Sequence, residues 1–582
     1  MNKIDFVDQT IRDAQQSLWG YMMTTDMITP IAAIMDQVGY KAIATVGSQA
    51  FTVLVRNLNE NPWERIKVLS NLFRKTPLRG SYQTGSLSTF DLSTPRDIIT
   101  LWIKRSVTNG IKCFWVCDWQ DDNDRFAYFA RIAKAEGAKI VTTLGYSLSP
   151  VHNEGYWVRK AELIAETKDY VDAIMIEDGA GLLTPESTRA LIPTIQKNCG
   201  GISIEFHAHC NSGLAPLCYL EAIKLGITTL HTAVAPLANG TSLPATETIL
   251  RNARRLGFTS DLNEEALAAV SGHFRKIAEI GGLPTGIPAE YDLFHFEHQV
   301  PGGMITNLTR QLREVGMEDR LDEILEEIIR VRKELGYPVM GTPFSQIVGA
   351  QAIENIISGK RYGRITDEVI KYSLGYYGEA IAPIDQNILD RIMSLPRSKE
   401  FLNWKSEDYD KSIEELRKEF GPELSDDDLL LSILIPGKTI KPANERKFIK
   451  SPEPKTKALQ SLSSEMPAKF IVEVDGEVFN VKISPQINAH REDDDSMVEE
   501  APKTAKRSNE FPAGAVVAGM PGMILSIEVK VGDNIEKGTL LAVIESMKMK
   551  RLFNSPYSGV VKKIMVSKGE TIDTKDILMV IG

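Results

Sequence analysis

Residues 203–213 read SIEFHAHCNSG, a short, largely apolar run that ends in two histidines and a turn-forming Asn-Ser-Gly. A run of this length, bounded in this way, predicts a buried strand. A polar segment with helical periodicity follows it, and the same strand-then-helix unit recurs through residues 1–290. The predicted strands are Lys3–Asp8, Lys41–Gly47, Pro77–Tyr82, Lys112–Asp118, Lys139–Ser147, Ala173–Gly179, Ser203–Cys210 and Thr229–Ala235.

The alternation of strands and helices indicates an α/β fold in which parallel strands pair through right-handed crossovers. Eight such units within about 250 residues are typical of a closed (β/α)8 barrel, the TIM barrel. We therefore predict a barrel over residues 1–290. A doubly wound open sheet is the alternative that the pattern leaves open.

The rest of the chain divides by changes in pattern. Amphipathic helices replace strands over residues 291–400 and predict a helical extension of the barrel. Residues 401–484 read as a charged helical segment and a small hairpin around Asp475–Gly476. Residues 485–512 lack apolar periodicity and place a block of acids before a block of bases, which predicts a flexible linker.

The last segment, residues 513–582, contains an internal repeat. MILSIEVKVGDNIEKGTLLAVI, at 523–544, matches VVKKIMVSKGETIDTKDILMVI, at 560–581, without gaps. Both halves alternate apolar and polar residues, which predicts a small all-β sandwich with internal two-fold symmetry. Between the halves, a tight turn at Met547–Lys548 would place the lysine at the tip of a hairpin.

The residues around this lysine, Glu545-Ser546-Met547-Lys548-Met549, resemble the attachment sequence of biotin carboxyl carrier domains. The resemblance implies biotin linked covalently to Lys548, attached by a biotin protein ligase. The flanking methionines favour biotin over a lipoyl group. A cofactor on a tethered domain can visit two distant sites at high effective concentration.

Composition and charge exclude several classes of protein. The chain is 43% hydrophobic and 25% charged, which is ordinary for a folded protein and excludes collagen-like or wholly disordered chains. No apolar run is long enough for a membrane span, and the polar start is unlike a secretory signal. Five cysteines without paired spacing argue against a disulfide framework, so we expect a cytoplasmic protein. A net charge of -10, spread over both signs, makes nucleic acid an unfavourable partner.

Chemistry in a TIM barrel is located at the carboxyl ends of its strands. His207 and His209 end the seventh strand, and their spacing of two points both imidazoles to one face. Two imidazoles with one or two carboxylates suit a divalent metal that polarises a carbonyl oxygen. The residues predicted at this rim are Arg12, Asp13, Gln16, Arg79, Asp118, Glu177, His207, His209, Thr232 and Thr241.

Several stretches resemble the carboxyltransferase domain of pyruvate carboxylase, the oxaloacetate decarboxylase alpha subunit and transcarboxylase. The resemblance covers about residues 3–400 and again 513–582. The matching stretches are RDAQQSL at 12–18, NENPWERI at 59–66, LRG at 78–80, HAHCNSG at 207–213, GTSLPATE at 240–247, VPGGMITNL at 300–308 and TPFSQIVGAQA at 342–352.

The resemblance implies transfer of a carboxyl group between carboxybiotin and a 2-oxo acid of the pyruvate or oxaloacetate type. It implies a homo-oligomer whose partner is a biotin carboxylase subunit or a set of membrane decarboxylase subunits. The implied metal is Zn, Mn or Co. The implied site roles are metal binding by Asp13, His207 and His209, a clamp on the substrate carboxylate by Arg79, substrate contact by Gln16, positioning by Arg12, and proton relay by Thr241.

This chain departs from the family at Glu177, where relatives carry a lysine that is carbamylated to bind the metal. A glutamate offers an anionic oxygen directly, so we expect Glu177 to be a further ligand candidate. Residues Gly47-Ser48-Gln49 and Cys117-Asp118 also differ from the family and indicate a reshaped acceptor pocket, which leaves a non-pyruvate acceptor open. The other hypotheses are a metal-dependent aldolase or acyl-CoA lyase, and a non-catalytic carrier.

Overall fold

The described parts of the chain include the barrel, the helical extension and most of the carboxyl-terminal β domain. The computed structural model describes residues 3–87, 94–118, 122–314, 317–402, 411–435, 468–474, 477–483, 514–518, 522–546, 549–572 and 576–582. The predicted linker at 485–512 and the residues Asp475–Gly476 and Lys548 lie outside these ranges.

Eight parallel strands form a closed barrel in which strand order follows chain order. The first and last strands close the ring, because Asp5 pairs with Thr229 and Asp8 pairs with Thr232. The predicted TIM barrel is confirmed, and the open sheet is wrong. The strands are β1 (Asp5–Asp8), β2 (Ala42–Gly47), β3 (Leu78–Gln83), β4 (Ile111–Cys117), β5 (Lys139–Gly145), β6 (Ala173–Asp178), β7 (Ser203–Ala208) and β8 (Thr229–Thr232).

The helices between the strands form the outer layer of the barrel. Local sequence sets where several begin: the Asn61 side chain accepts the backbone N–H of Trp63, and Thr184 forms a capping box with Ser187. Their apolar faces join one continuous core with the strands. The helices are α1 (Gln15–Trp19), α2 (Thr25–Met35), α3 (Ala50–Arg56), α4 (Pro62–Leu72), α5 (Arg96–Thr108), α6 (Asn123–Ala135), α7 (Glu154–Ala165), α8 (Pro185–Asn198), α9 (Ala215–Lys224), α10 (Thr246–Arg255) and α11 (Glu264–Gly281), with a π-helical turn at Thr10–Ala14 and a 3-10 turn at Ala235–Leu237.

The helical extension has a core of its own, centred on apolar faces that include Ile328, Val348 and Tyr362. No helix in the described ranges is both long and apolar enough to cross a membrane. The extension consists of α12 (Leu293–His298), α13 (Gly302–Glu314), a 3-10 turn (Glu318–Arg320), α14 (Leu321–Glu334), α15 (Phe344–Ile357), α16 (Asp367–Ser373), α17 (Gln386–Ser394) and α18 (Pro396–Leu402).

A close approach at Gly302 brings the extension onto the mouth of the barrel. A Cβ atom at this position would lie 2.4 Å from the carbonyl oxygen of Thr241. Only glycine allows the start of α13 to lie against the loop after β8 at this distance. The helix therefore forms a wall above the carboxyl ends of the strands.

The charged segment after residue 410 folds against the barrel as α19 (Ile413–Phe420) and α20 (Asp426–Leu434). Leu429 and Leu430 of α20 are fully buried in the barrel core. Asp427 pairs with Lys67 at 3.0 Å and with Arg105 at 2.7 Å. The charged residues thus anchor a helix whose other face is part of the core.

The small hairpin belongs to a separate compact unit, Lys441–Ala513, so the two parts of the predicted region 401–484 fall in different units. Its strands, β9 (Ala468–Val474) and β10 (Glu477–Ile483), pair antiparallel. The pairing of Val474 with Glu477 agrees with the predicted hairpin register.

The carboxyl-terminal domain consists of two four-stranded sheets that together bear out the predicted all-β sandwich. Strands equivalent in the sequence repeat lie in opposite sheets: β12 and β14 in one, their counterparts β16 and β18 in the other. This placement of equivalent strands in opposite sheets is the internal two-fold symmetry that the sequence repeat predicts. The strands are β11 (Ala515–Val517), β12 (Gly522–Ile527), β13 (Asn534–Ile535), β14 (Leu540–Ser546), β15 (Met549–Asn554), β16 (Gly559–Ile564), β17 (Thr571–Ile572) and β18 (Ile577–Ile581).

The predicted attachment residue follows β14, which pairs antiparallel with β15. Ser546 pairs with Met549, so the described strands end on either side of Met547 and Lys548. The hairpin strands agree with the prediction, while the lysine itself lies outside the described residues.

Candidate active site

A cavity of about 220 Å³ lies at the carboxyl ends of the barrel strands, between the barrel and the helical extension. Residues of β3, β4 and β6, and residues after β1, β2, β6 and β7, form one wall. Residues of α13 and α15, with the loops before these helices, form the other. This is the end of a TIM barrel at which active sites lie. The predicted rim residues that line it are Arg12, Asp13, Gln16, Glu177 and His209.

Three predicted metal ligands meet at the floor of this cavity. Asp13 lies in the π-helical turn after β1, His207 near the end of β7, and His209 directly after β7. Their ligand atoms all lie within 4.8 Å of one another. Nε2 of His207 lies 3.4 Å from Oδ2 of Asp13, and Nε2 of His209 lies 3.4 Å from Oδ1. This set of one carboxylate and two imidazoles matches the predicted site.

The protonation states of the three ligands fit a divalent cation. Burial lowers the pKa of His207 to about 3, so its imidazole is neutral, which is the ligating form. Burial alone would raise the pKa of Asp13, but Arg12 and His209 hold it well below its ordinary value. Nε2 of His207 is buried and makes no hydrogen bond of acceptable geometry with the described residues. A buried nitrogen left in this way is costly unless a ligand binds it, so the residues fit a metal.

Glu177 faces the cavity from the end of β6 without joining the three-residue cluster. Its Oε2 atom is buried and has no hydrogen-bond partner among the described residues. Burial and the charge of Asp13 raise the pKa of Glu177 to about 7. Oε2 of Glu177 is therefore available to a ligand, and the carboxyl group is close to its pKa at neutral pH. Its role as a metal ligand stays a prediction.

Arg12 and Gln16 both line the cavity at the predicted rim, and their roles there stay predictions. Nη1 of Arg12 donates to Oδ2 of Asp13 at 2.5 Å, and its guanidinium lies 4.1 Å from the centre of the Trp115 ring. The ion pair and the cation–π contact fix the guanidinium beside the metal ligands. Gln16 lines the cavity, and its side-chain oxygen accepts the hydroxyl of Tyr21 at 2.5 Å.

Arg79 does not lie at the cavity, in contrast to the expected substrate clamp. Its side chain is 4% exposed and donates from Nη1 and Nη2 to the two carboxylate oxygens of Glu205, at 2.6 and 3.3 Å. The cavity lining on β3 begins two residues later, at Ser81. Arg79 therefore points into the barrel interior one layer below the rim, where Glu205 occupies the groups that would bind a substrate carboxylate.

Thr241 also has a different placement from the expected proton relay. Its hydroxyl donates to the carbonyl oxygen of Ser17 at 3.0 Å, and its own carbonyl oxygen lies 2.8 Å from Nδ1 of His209. This contact places the proton of His209 on Nδ1 and leaves Nε2 available for a metal. Thr241 is thus a positioning residue for His209 in this structure.

The threonine that lines the cavity is Thr342, which lies in one of the family-like stretches but had no predicted role. Its hydroxyl accepts a hydrogen bond from Nε2 of Gln346 at 3.0 Å. The motif TPFSQIVGAQA was the signal that could have identified it. Two other predicted rim residues have local partners instead: Asp118 pairs with Arg125, and Thr232 pairs with Thr246.

Three family descriptions match the chain in sequence order. "HMGL-like" matches residues 110–273, "Conserved carboxylase domain" matches 296–489, and "Biotin-requiring enzyme" matches 510–581. The last match confirms biotin as the cofactor of the carboxyl-terminal domain. With the Asp13, His207 and His209 cluster, the first supports the predicted divalent metal.

Two relatives match nearly the whole chain, and a third matches about two thirds of it. A pyruvate carboxylase subunit of Methanocaldococcus jannaschii is 36% identical over 558 residues, which is 94% of each chain. The 2-oxoglutarate carboxylase large subunit of Hydrogenobacter thermophilus is 30% identical over 94% of this chain and 90% of its own. The methylmalonyl-CoA carboxyltransferase 5S subunit of Propionibacterium freudenreichii is 31% identical over 66% of this chain and 76% of its own.

Solved structures agree on the fold. The carboxyl transferase domain of Rhizobium etli pyruvate carboxylase superposes with a TM-score of 0.65 at 20% identity, covering 75% of this chain and 76% of that one. The full-length relatives and the biotin domain favour a carboxyltransferase over the aldolase or lyase alternative. The chain therefore belongs to the family of biotin-dependent carboxyltransferases that includes the pyruvate carboxylase subunit of Methanocaldococcus jannaschii.

Proposed function

We propose that this chain is the carboxyltransferase and carrier subunit of a two-subunit carboxylase whose acceptor is a small 2-oxo acid with one carboxylate, such as pyruvate. The observation that carries the proposal is the Asp13, His207 and His209 cluster, which opens into a cavity of about 220 Å³ at the barrel mouth. The same chain carries a biotin domain, and we assign the attachment to Lys548 from the sequence Glu545-Ser546-Met547-Lys548-Met549.

The charge of the cavity supports a monocarboxylic acceptor. Among its lining residues, Arg12 is the single one with a fixed positive charge, and it is already paired with Asp13. Arg79 is paired with Glu205 and does not line the cavity. Neutral side chains therefore provide the other hydrogen-bond donors of the cavity wall. Amide groups that line the cavity can bind one carboxylate, but no second cation is present in the described wall for an acceptor that already carries two carboxylates before the transfer. The lining amides are Gln16, Gln49, Gln83 and Gln346.

The chemistry joins a carboxyl group to the carbon beside a ketone, and that carbon loses a proton. Asp13, His207 and His209 would hold a divalent metal, which would polarise the ketone oxygen, and biotin on the carrier domain would supply the carboxyl group. The chain's own residues position the acceptor and move the proton. Arg12 adds fixed positive charge beside the ligands, which stabilises negative charge that develops on the acceptor.

The proton relay is assigned to Thr342, because this residue lines the cavity and the hydroxyl of Thr241 is bonded to the carbonyl oxygen of Ser17. A hydroxyl held in hydrogen-bonding reach of the acceptor carbon would take the proton of that carbon while passing its own proton to the biotin nitrogen that gives up the carboxyl group. Gln346 donates to this hydroxyl and fixes its orientation.

The assembly follows from the named relatives. They are carboxylase subunits and a carboxyltransferase, which favours a biotin carboxylase subunit as partner over membrane decarboxylase subunits. A biotin protein ligase would modify Lys548, and a homo-oligomer would present several active sites to the carriers.

The test is a screen of 2-oxo acids with the full chain after biotinylation, run in the decarboxylation direction and followed by 2-oxo acid release. We expect oxaloacetate to react and Lys548→Ala to abolish the reaction, with Lys562→Ala as the exposed-lysine control. Activity that persists in Lys548→Ala would favour the lyase alternative. No activity of the parent with any 2-oxo diacid would overturn the proposed acceptor class.

A further inference from the structure

A continuous set of buried polar side chains lies in the barrel interior behind His207. Nδ1 of His231, on β8, lies 3.2 Å from Nδ1 of His207. Nε2 of His231 lies 2.9 Å from Oε2 of Glu205, on β7. Arg79, on β3, binds the same carboxylate. All four side chains are buried, so solvent does not compete for these hydrogen bonds.

One arrangement of protons satisfies both imidazoles when His207 binds a metal through Nε2. Nδ1 of His207 must then carry its proton and needs an acceptor. The atom that faces it is Nδ1 of His231, which has a lone pair only when the proton of His231 is on Nε2. Glu205 accepts a proton at that position. The carboxylate therefore selects the tautomers of both rings.

Two further contacts of His231 bear on this assignment. Nη1 of Arg79 lies 3.4 Å from Nε2 of His231, but the acceptor Oε2 of Glu205 is closer, at 2.9 Å, so the carboxylate sets the proton on Nε2. The side-chain nitrogen of Gln9 lies 2.9 Å from Nδ1 of His231, and an amide nitrogen is a donor. Nδ1 of His231 thus faces two donors, His207 and Gln9, and it can accept a hydrogen bond from them only if it carries a lone pair. Lys41, which is 40% exposed, lies 3.3 Å from Oε1 of Glu205 and with Arg79 surrounds the carboxylate with positive charge.

We propose that Glu205 and His231 are positioning residues that present Nε2 of His207 to the divalent metal, and that Arg79 anchors Glu205 for this purpose. A carboxylate that orients a ligating imidazole is a general device of metal sites, and its loss costs about ten- to a hundredfold in metal affinity. Here the carboxylate acts through an intervening histidine. The inference rests on the metal-binding role of Asp13, His207 and His209 given above.

The test is the affinity of the full chain for cobalt(II), measured by chelator competition and by the visible absorption of the bound ion. The first variant is Arg79→Met with Glu205→Leu, which removes the carboxylate without leaving a buried charge unpaired. The second is His231→Leu, which removes the intervening ring. We expect both to weaken cobalt binding by about ten- to a hundredfold and to change the absorption spectrum.

The matched control is Thr232→Val, which is the next residue on β8 and whose hydroxyl bonds to Thr246 outside this set. It should keep the cobalt affinity of the parent. Thermal unfolding of all variants separates loss of folding from loss of ligand orientation. Parent-like cobalt affinity in both folded test variants would overturn the proposal while leaving the metal site intact. A parent that binds no cobalt would overturn the metal site as well.

A measurement on the unaltered protein covers the case in which the variants do not fold. The chain has eight histidines, so selective nitrogen-15 labelling of histidine gives a short list of ring signals. In the metal-loaded protein we expect two metal-shifted rings with their protons on Nδ1, His207 and His209, and a third ring, His231, with its proton on Nε2. A proton on Nδ1 of His231 would overturn the proposal.

Discussion

The mouth and the interior of the barrel use the same kinds of side chain in opposite ways. In the interior, Arg79, Glu205 and His231 bind one another, and the charges are balanced within the group. At the mouth, Nε2 of His207 and Oε2 of Glu177 are buried without hydrogen-bond partners in the described part of the chain. Buried polar atoms are normally satisfied, so unsatisfied ones at the wall and floor of a cavity are candidate contacts for a ligand. In the interior, Nε of Arg79 also lacks a partner among the described residues, but its two Nη atoms and Glu205 pair with each other and form the frame below the site.

The largest expected effect is loss of a metal ligand at the mouth. His209→Ala should abolish stoichiometric metal binding and lower carboxyl transfer by about 10³-fold, because a Lewis acid contributes several kcal/mol to the reaction. Metal analysis of purified protein and a steady-state assay measure the two effects. His273→Ala is the control, since its ring contacts the carbonyl oxygen of Met27 away from the cavity. Equal metal content in the His209 variant and the parent would contradict the site.

Breaking the interior pair should affect stability instead. Arg79→Met leaves the buried carboxylate of Glu205 without its main partner, so the free energy of unfolding should fall by about 3–5 kcal/mol. The double variant with Glu205→Leu should recover most of this loss. Denaturant unfolding measures both. If the double variant is no more stable than Arg79→Met, the unpaired charge of Glu205 is not what destabilises the single variant.

The carboxyl group at the mouth should make stability depend on pH. Burial and Asp13 raise the pKa of Glu177 from 4.5 to about 7, so the folded chain binds this proton more tightly than the unfolded chain. The resulting stabilisation is complete below pH 4.5 and is lost as the pH rises towards 7, by roughly 3 kcal/mol.

The measurement is denaturant unfolding of metal-free protein between pH 4.5 and 7.5, compared with Glu177→Gln. The glutamine variant should lack this part of the pH dependence. Burial also raises the pKa of Asp178, to about 6, so the difference between parent and variant isolates Glu177. Parallel stability curves for the two proteins would contradict the raised pKa.

The two threonines give the smallest expected effect. Thr342→Val should lower the turnover number by about 10²-fold with little change in KM, as expected for loss of a proton-transfer group. Thr241→Val keeps the backbone carbonyl that binds His209, so its turnover and metal content should stay within a few-fold of the parent. A larger loss of turnover in Thr241→Val than in Thr342→Val would instead assign the proton relay to Thr241.

Much of the fold was predictable because its signals are local. The eight strands are short apolar runs that alternate with helical segments, and chain closure follows from their number and spacing. The gap-free repeat between 523–544 and 560–581 likewise predicted two equivalent β halves. His207 and His209 were predictable as a pair, since a spacing of two on one strand places them on one face.

The partners of Arg79 and Thr241 were not predictable from such signals. Glu205 lies 126 residues from Arg79, and Ser17 lies 224 residues from Thr241. Motif matching assigned both residues a role at the cavity, but it carries no information about depth within the barrel. Thr342 was overlooked for the same reason, because it lies in the extension and reaches the cavity only when that part folds over the mouth.

The amino-acid sequence by itself determined the barrel, the repeated β domain with its attachment motif, and the histidine pair at the barrel rim, because each depends on periodicity or spacing within a short segment. Tertiary structure alone decided which polar groups neutralise one another and which face the cavity. That division depends on contacts between strands far apart in the chain. Such contacts are set by closure of the barrel, and local sequence patterns do not record them.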